Sequence, residues 1–356
     1  MLILLLLALS PIALKLVMGD VTTDKTKKRW YFFLCGVCIV FVMGFRDRFT
    51  GTTDTDNYCK VFENMLRYSG WKEYLTKSKL FEDGLFFSEA GFSFFVFFLT
   101  RIFSDAQALI FFSSLFITVC TLLFIWKNSL SPAMSILMYI TLGLFTFNMN
   151  GMRQAMAMSV CALAYEHVKN KKLGKFLVTV FFAMMFHKTA IFFALVYPLS
   201  GMKLKFSHVV IFAAVLGAFI LFANRFVSFF DDWADKNYSD SESVEGGGFI
   251  TVAIYALVIG LSLFFHRDWN KENSLLLLSL SMVGLILYLA RYFSIQIYER
   301  MSYYFFYALL ILLPIFVSNF DGKSRVLVNG VIALLSLLLF MYRTNGSIFD
   351  GFSLIF

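Results

Sequence analysis

The residues of this sequence that can do chemistry are few and widely spaced. Asp54 and Asp56 stand two apart in a polar stretch, with Asn57 and Tyr58 beside them. Glu89 precedes an apolar run, Arg153 and Gln154 interrupt another, and His187, Arg291 and Arg300 stand at the ends of others. A carboxylate in such a place can take a proton from an attacking hydroxyl. The Asp54-x-Asp56 pair can instead offer oxygen ligands to a divalent cation, or form nothing more than an Asx-turn in a solvated loop. Arg153 carries the strongest signal. It lies within the apolar run from Ile136 to Leu163, and a charge near bilayer depth costs at least ~2.5 kcal/mol, so such residues mark functional sites. The plain alternative is an Arg at a span end that snorkels to the interface. His187 titrates in the range a general base needs; a lone His at a span end is more often a hydrogen-bonded structural residue.

The elements that must position these residues are set by composition. Of 356 residues, 59% are hydrophobic and only 15% charged, with mean hydropathy +0.75. A soluble domain is roughly a quarter charged. Long apolar runs without strand-length punctuation specify helices rather than a barrel, so the expected fold is an all-α polytopic membrane protein forming a single domain over residues 1–356. The net charge of +8 reads as topology and headgroup contact, not nucleic-acid binding. Cys35 and Cys38 form a C-x-x-C inside an apolar span and read as packing; zinc would need two more ligands nearby. Only Cys59 lies in a loop, so no disulfide framework is implied. No phosphate-binding glycine loop, dinucleotide fingerprint, zinc-protease helix or nucleophile elbow is present.

Taken in order, Met1 to Met18 reads as a retained span rather than a cleaved leader. The basic stretch Lys25 to Arg29 places the next loop in the cytoplasm. Residues 46–105 form the first outer loop, with juxtamembrane helices; Phe92 to Phe103, about twelve residues, is too short to cross ~30 Å comfortably and reads as re-entrant or interfacial. Basic clusters after Trp126, Val168 and Leu199, and at Lys323 and Arg325, mark cytoplasmic loops. Residues 225–248 form a second, acidic outer loop ending in three glycines. The count is about twelve spans, short ones being tilted or locally thinned.

With that topology the unusual polar residues converge on the outer face: Asp54, Asp56, Asn57, Glu89, Arg153, Gln154, His187, Lys188, Arg291, Glu299 and Arg300. A convergent set of carboxylates and guanidiniums at one membrane face suits a charged ligand group. The planar fork of Arg makes bidentate bonds to phosphate, so Arg153, Arg291 and Arg300 can clamp a lipid diphosphate headgroup. Their structural reading is as interfacial anchors.

The motifs Gly51-x-x-Asp54-x-x-x-Tyr58, Glu89-x-Gly91-Phe92, Asn150-x-x-Arg153-Gln154-x-x-Ala157, Phe186-His187-x-x-Ala190 and Glu299-Arg300-x-x-x-Tyr304 occur in that order. The series resembles the EpsG-like branch of the Wzy-type bacterial polysaccharide polymerases and covers nearly the whole chain. Gly51-Thr52-Thr53-Asp54 has one residue more than the usual Gly-Thr-Asp, which leaves Asp54 and Asp56 both open as the family's carboxylate. The resemblance implies a multi-pass protein of the bacterial cytoplasmic membrane with GT-C-like glycosyltransferase architecture. It implies joining of undecaprenyl-diphosphate-linked oligosaccharide repeat units at the outer face, on units delivered by a flippase, with release of undecaprenyl diphosphate. Asp54, Tyr58, Glu89, Arg153, Gln154, His187 and Arg300 carry over from the motifs; Arg291 rests on charge placement alone. One carboxylate, Asp54 or Glu89, would deprotonate the incoming hydroxyl, and His187 is a further catalytic candidate. No cofactor is expected, although Asp54-x-Asp56 leaves room for a divalent cation. Expected partners are the lipid-linked oligosaccharide, membrane lipid, a flippase and a chain-length regulator. The rival readings are a flippase or transporter of the same lipid-linked sugars, for which no internal repeat is visible, and a glycan ligase or acyltransferase.

Overall fold

The computed structural model describes residues 2–50, 53–73, 86–200, 249–265, 274–291, 297–345, 349 and 352–355. The second outer loop, residues 225–248, lies outside them. So do Gly51 and Thr52 and residues 74–85 of the first outer loop. The helices in chain order are α1 (Leu2–Met18), α2 (Lys25–Gly44), α3 (Thr53–Met65), α4 (Phe86–Thr100), α5 (Gln107–Asn128), α6 (Pro132–Thr141), α7 (Leu144–Asn150), α8 (Met152–Lys169) and α9 (Leu173–Met184). A 3₁₀ segment, Lys188–Leu195, follows, then α10 (Val196–Leu199), α11 (Phe249–Phe265), α12 (Ser274–Ala290), α13 (Ile297–Phe306), α14 (Leu309–Ser318) and α15 (Gly322–Thr344). Among the described residues the only β pairing is an isolated antiparallel bridge between Arg46 and Leu354.

The centre of the bundle is α8. Ala155, Ala157 and Ala164 are fully buried, as are Met156, Met158 and Cys161. Small side chains let neighbouring helices approach closely where lipid gives no hydrophobic drive, and α5, α9 and α13 pack against this helix. The outside is apolar in turn: Val17, Phe33, Val178, Phe264 and Val326 are all well exposed. An apolar exterior of this extent is a liability in water and is the natural surface of a protein solvated by lipid.

Inside that apolar setting the freed backbone groups are satisfied by side chains. Pro11 within α1 has no N–H for the Leu7 carbonyl, and Ser10 Oγ donates to it at 2.7 Å. Pro314 within α14 leaves the Leu310 carbonyl in the same state, and Ser135 Oγ from α6 donates to it at 2.6 Å. A buried ladder joins Asn148 Nδ2 to Tyr139 Oη (3.0 Å) and Tyr307 Oη (3.2 Å), with Thr121 Oγ1 3.2 Å from Tyr307 Oη. Each answers the requirement that backbone and side-chain polar groups be paired within the membrane.

Among the described residues, α5 and α15 are long and apolar enough to cross a membrane by length and composition, and up to four spans result if two bent pairs each count as one. Those pairs are α6 with α7, bent by 53°, and α13 with α14, bent by 44°. The apolar run that enters at α6 is therefore broken at Gly143 (φ +99°), giving two helices in place of one straight span. Arg300 likewise lies within a helix, because α13 begins at Ile297.

Candidate functional site

The site is built on Glu89. The backbone of α4 leaves helical geometry at this residue (φ −157°, ψ 21°), and the helix runs on from there. The N–H groups at a helix start have no intrahelical partner. Here those of Gly91 and Phe92 donate to the Met185 carbonyl at 2.8 and 3.2 Å. Only glycine permits that approach: a Cβ on Gly91 would stand 2.7 Å from Met185 Cβ. Met185 ends α9, and two residues further on His187 reaches Glu89, with Nδ1 3.1 Å from Oε1. The other carboxylate oxygen, Oε2, accepts from Arg153 Nη1. Since an ionised carboxylate only accepts, His187 is oriented with its proton on Nδ1.

Arg153 stands in the first turn of α8, where a cation opposes the helix dipole and the Glu89 carboxylate offsets it. Its guanidinium lies over the Tyr58 ring (5.4 Å) and the Phe92 ring (5.9 Å), and its Nε is 3.5 Å from Tyr58 Oη. Tyr58 and Phe92 meet edge to face at 5.6 Å. The Glu89 and His187 side chains are 8% and 5% exposed, whereas Arg153 is 25% exposed. Arg153 is thus the member of the cluster that faces outward.

Helix α3 brings Tyr58 to the cluster, and Asp54, one turn earlier, shares that face of the helix. Asp54 and Asp56 lie in the first turn of α3, so the loop Asx-turn reading gives way to a helical one. Asp56 is bound by Lys60 Nζ at 2.6 Å and by Arg48 Nη2 at 2.8 Å. Hydrogen bonding to Lys60, and then to Arg48, holds its carboxyl below the usual carboxylate range. Asp56 therefore braces α3 against Arg48, while Asp54 is half-buried on the Tyr58 side and Asn57 is exposed. Among the described residues, no three His, Cys, Asp or Glu side chains gather as a metal site.

Gln154 Nε2 donates to the Arg300 carbonyl at 2.6 Å, which ties the start of α8 to α13. One turn along α13 from Arg300, Tyr304 Oη is 2.9 Å from Thr189 Oγ1. Arg291 belongs to a second pair: its Nη1 is 2.8 Å from Glu299 Oε2, and it also donates to Tyr288 Oη at 3.0 Å. Two of the three arginines read as a headgroup clamp, Arg153 and Arg291, therefore each carry a carboxylate partner.

Arg46 is a structural residue that sequence reasoning passed over as the start of a loop. It is fully buried; it donates to the Met43 carbonyl, to Ser114 Oγ (3.3 Å) and to the Met149 carbonyl (2.6 Å). Burial pushes its guanidinium down to about 10. Thr55 Oγ1 is 3.4 Å from the same Met149 carbonyl. The junction of α7 and α8, which presents Arg153, is thus pinned from the first loop. The sequence offered one signal, an Arg directly after an apolar helix.

Fold and site together define a helical membrane protein with a buried carboxylate–imidazole pair whose partner guanidinium faces outward. The sequence profile of the EpsG family matches residues 30–353. The chain belongs to this family, that of the EpsG-like polysaccharide polymerases. No curated protein and no solved structure matches the chain.

Proposed function

We propose that this protein polymerises undecaprenyl-diphosphate-linked oligosaccharide repeat units by glycosyl transfer at the outer face of the bacterial cytoplasmic membrane, as a GT-C-like enzyme of about twelve spans, a count that treats short helices as tilted or broken spans. The observation that supports it best is the meeting of Glu89, Arg153 and His187, which come from three of the motifs shared with the polymerases. The acceptor is a hydroxyl at the far end of a fresh lipid-linked unit. Its oxygen bonds to the anomeric carbon of the growing chain's first sugar. The bond from that carbon to the diphosphate oxygen breaks, and undecaprenyl diphosphate leaves with the electron pair. Asp54 takes the hydroxyl proton; of the two candidate carboxylates it is the more exposed, while both oxygens of Glu89 are engaged. Arg153, oriented by Glu89, presents its outward N–H groups to the developing charge on the leaving group, and Arg300 assists. Gln154 holds the backbone of Arg300 in register. Tyr58 and Asn57 line the approach. Arg291 supports the site from its pair with Glu299. No metal is required, since the leaving group needs no proton once its charge is met by cations.

The test is a chain-length ladder from purified protein and lipid-linked repeat units, with and without EDTA. Asp54→Asn should lower the rate by about 10²-fold or more, Asp56→Asn should leave a measurable ladder, and EDTA should change nothing. A full ladder from Asp54→Asn refutes the base assignment. Conversion of single units to product by no form of the protein refutes the polymerase reading, and points to transport or ligation.

A further inference from the structure

A cavity of mixed polar and apolar lining holds a cation that has no place in the mechanism above. It encloses about 260 Å³ and is lined by Thr141, Thr146, Asn150, Tyr303, Arg343 and Thr344 among others. That is smaller than a drug-sized pocket of ~300–1,000 Å³, and suits a phosphate or diphosphate rather than an oligosaccharide. Arg343 comes from the last turn of α15. Its Nη1 donates to the Leu142 carbonyl at 3.0 Å, and Tyr255 Oη donates to the same carbonyl at 2.6 Å.

The backbone is shaped around this guanidinium. Gly143 takes φ +99°, and a Cβ there would fall 2.6 Å from Nη1 and Nη2 of Arg343. The break between α6 and α7 is therefore the place where Arg343 lies flat against the chain. Among the described residues no carboxylate lies within ion-pair distance of it, in contrast to Arg153 with Glu89 and Arg291 with Glu299. An Arg carries five donors and no acceptor; this one gives a donor to the Leu142 carbonyl and has the Tyr255 hydroxyl against it as well, which leaves others for a ligand. The hydroxyls of Thr141 and Thr146 donate to backbone carbonyls at 2.8 and 3.0 Å, which leaves their lone pairs as acceptors for sugar hydroxyls. Tyr303 stacks on Phe147 at 4.2 Å and gives its hydroxyl proton to Glu299. Asn150, on the same wall, is three residues before Arg153, so the cavity adjoins the site already described.

We propose that the Arg343 cavity binds the phosphate of a glycosyl phosphate, with Arg343 as its anion anchor and Gly143 as the residue that makes room for it. The identity of the ligand as the diphosphate end of a prenyl-linked sugar rests on the function proposed above; the anion site itself does not. Among the described residues Arg343 is a cation without a carboxylate partner; it would hold the phosphate in the bound state, and Arg153 and Arg300 would meet the charge that develops as the diphosphate leaves.

The full-length protein in nanodiscs is titrated with undecaprenyl diphosphate, inorganic diphosphate and undecaprenol, with binding read by calorimetry. Undecaprenyl diphosphate should bind the native protein, and Arg343→Gln should weaken it tenfold or more. Arg343→Lys should weaken it less, because charge remains while the fork is lost. Comparable Arg343-dependent binding of inorganic diphosphate identifies a site for the anion alone; Arg343-dependent binding of the prenyl form only identifies a lipid headgroup site. Equal affinity in native and Arg343→Gln protein overturns the proposal. Should the variants fail to fold, hydrogen exchange in the native protein decides: residues 141–150 and 340–345 should gain protection on adding undecaprenyl or inorganic diphosphate, and absence of protection with both overturns it. Binding that depends on Arg343 in a protein that never polymerises would sink the polymerase reading and leave this site standing.

Discussion

Both carboxylate oxygens of Glu89 are engaged, Oε2 by Arg153 and Oε1 by His187. Replacing it by Gln keeps the shape and removes the charge. The amide oxygen can still accept from Arg153, but its NH₂ then faces His187 Nδ1, which must shift its proton to Nε2, and the ion pair with Arg153 is lost. Such a mismatch leaves a largely buried charge poorly paired and costs about 1.5–3 kcal/mol. Glu89→Gln should therefore lower the thermal midpoint and, because Arg153 loses its fixed orientation, slow polymerisation about 10²-fold. Glu89→Asp should recover part of both. A Glu89→Gln protein with native stability and a native ladder would show that the cluster is neither structural nor catalytic. The motif residues gave the participants in advance. Their pairing was not legible, because Glu89 and Arg153 are 64 residues apart, and nothing in either segment names the other.

At the scale of elements, the cluster depends on how closely α4 meets the end of α9. Gly91 allows the contact, so Gly91→Ala should force the two apart and cost about 1–3 kcal/mol through overpacking. The Glu89–His187 hydrogen bond should lengthen while α8 is untouched. Cysteine cross-linking between positions 90 and 186, efficient in the parent and lost in Gly91→Ala, would report it. Helix α3 has its own brace in Asp56 with Lys60 and Arg48. The Asp56 carboxyl is held below the usual range in the folded protein. Its contribution is accordingly present above the ordinary carboxylate pKa and lost as pH falls through the lowered one. Amide exchange in α3 should quicken in acid relative to neutral pH, and Asp56→Asn should remove that dependence. An acid response unchanged in Asp56→Asn would assign it elsewhere. The apolar helices were readable from run length, but α3, in a polar stretch, was not. The breaks at Gly143 and before Leu309 were not, since a bent pair and a straight span share one composition.

For the whole molecule, Arg46 ties three parts of the chain: the end of α2, α5 and the junction of α7 with α8. The tail joins here too, with Asp47 N donating to the Ser353 carbonyl at 3.0 Å and Ile355 N to the Phe45 carbonyl at 3.0 Å. Arg46→Met should leave the Met43 carbonyl without its donor and the Met149 carbonyl with only the long contact from Thr55, at about 1–3 kcal/mol for the orphaned group. Lower yield of folded protein is expected, with the Arg153 region exchanging faster. Unchanged exchange there would mean that the first loop does not hold the α7–α8 junction.

Sequence by itself determined that this chain is helical, that it belongs in lipid, and which scattered polar residues are candidates for chemistry. It did so because apolar run length and the cost of a charge near the bilayer are local properties, readable one segment at a time. Tertiary structure alone decided which cation meets which carboxylate. Arg153 and Arg291 are paired, Asp56 is a brace, and Arg343 lies in a cavity made by a bend in α6 and α7. Arg343 meets the Leu142 carbonyl across 201 residues and Arg153 meets Glu89 across 64, and contacts at such separations leave no mark on either segment's own pattern. Asp56 with Lys60 and Arg291 with Glu299 are near neighbours, whose pairing still needed the helix and its packing.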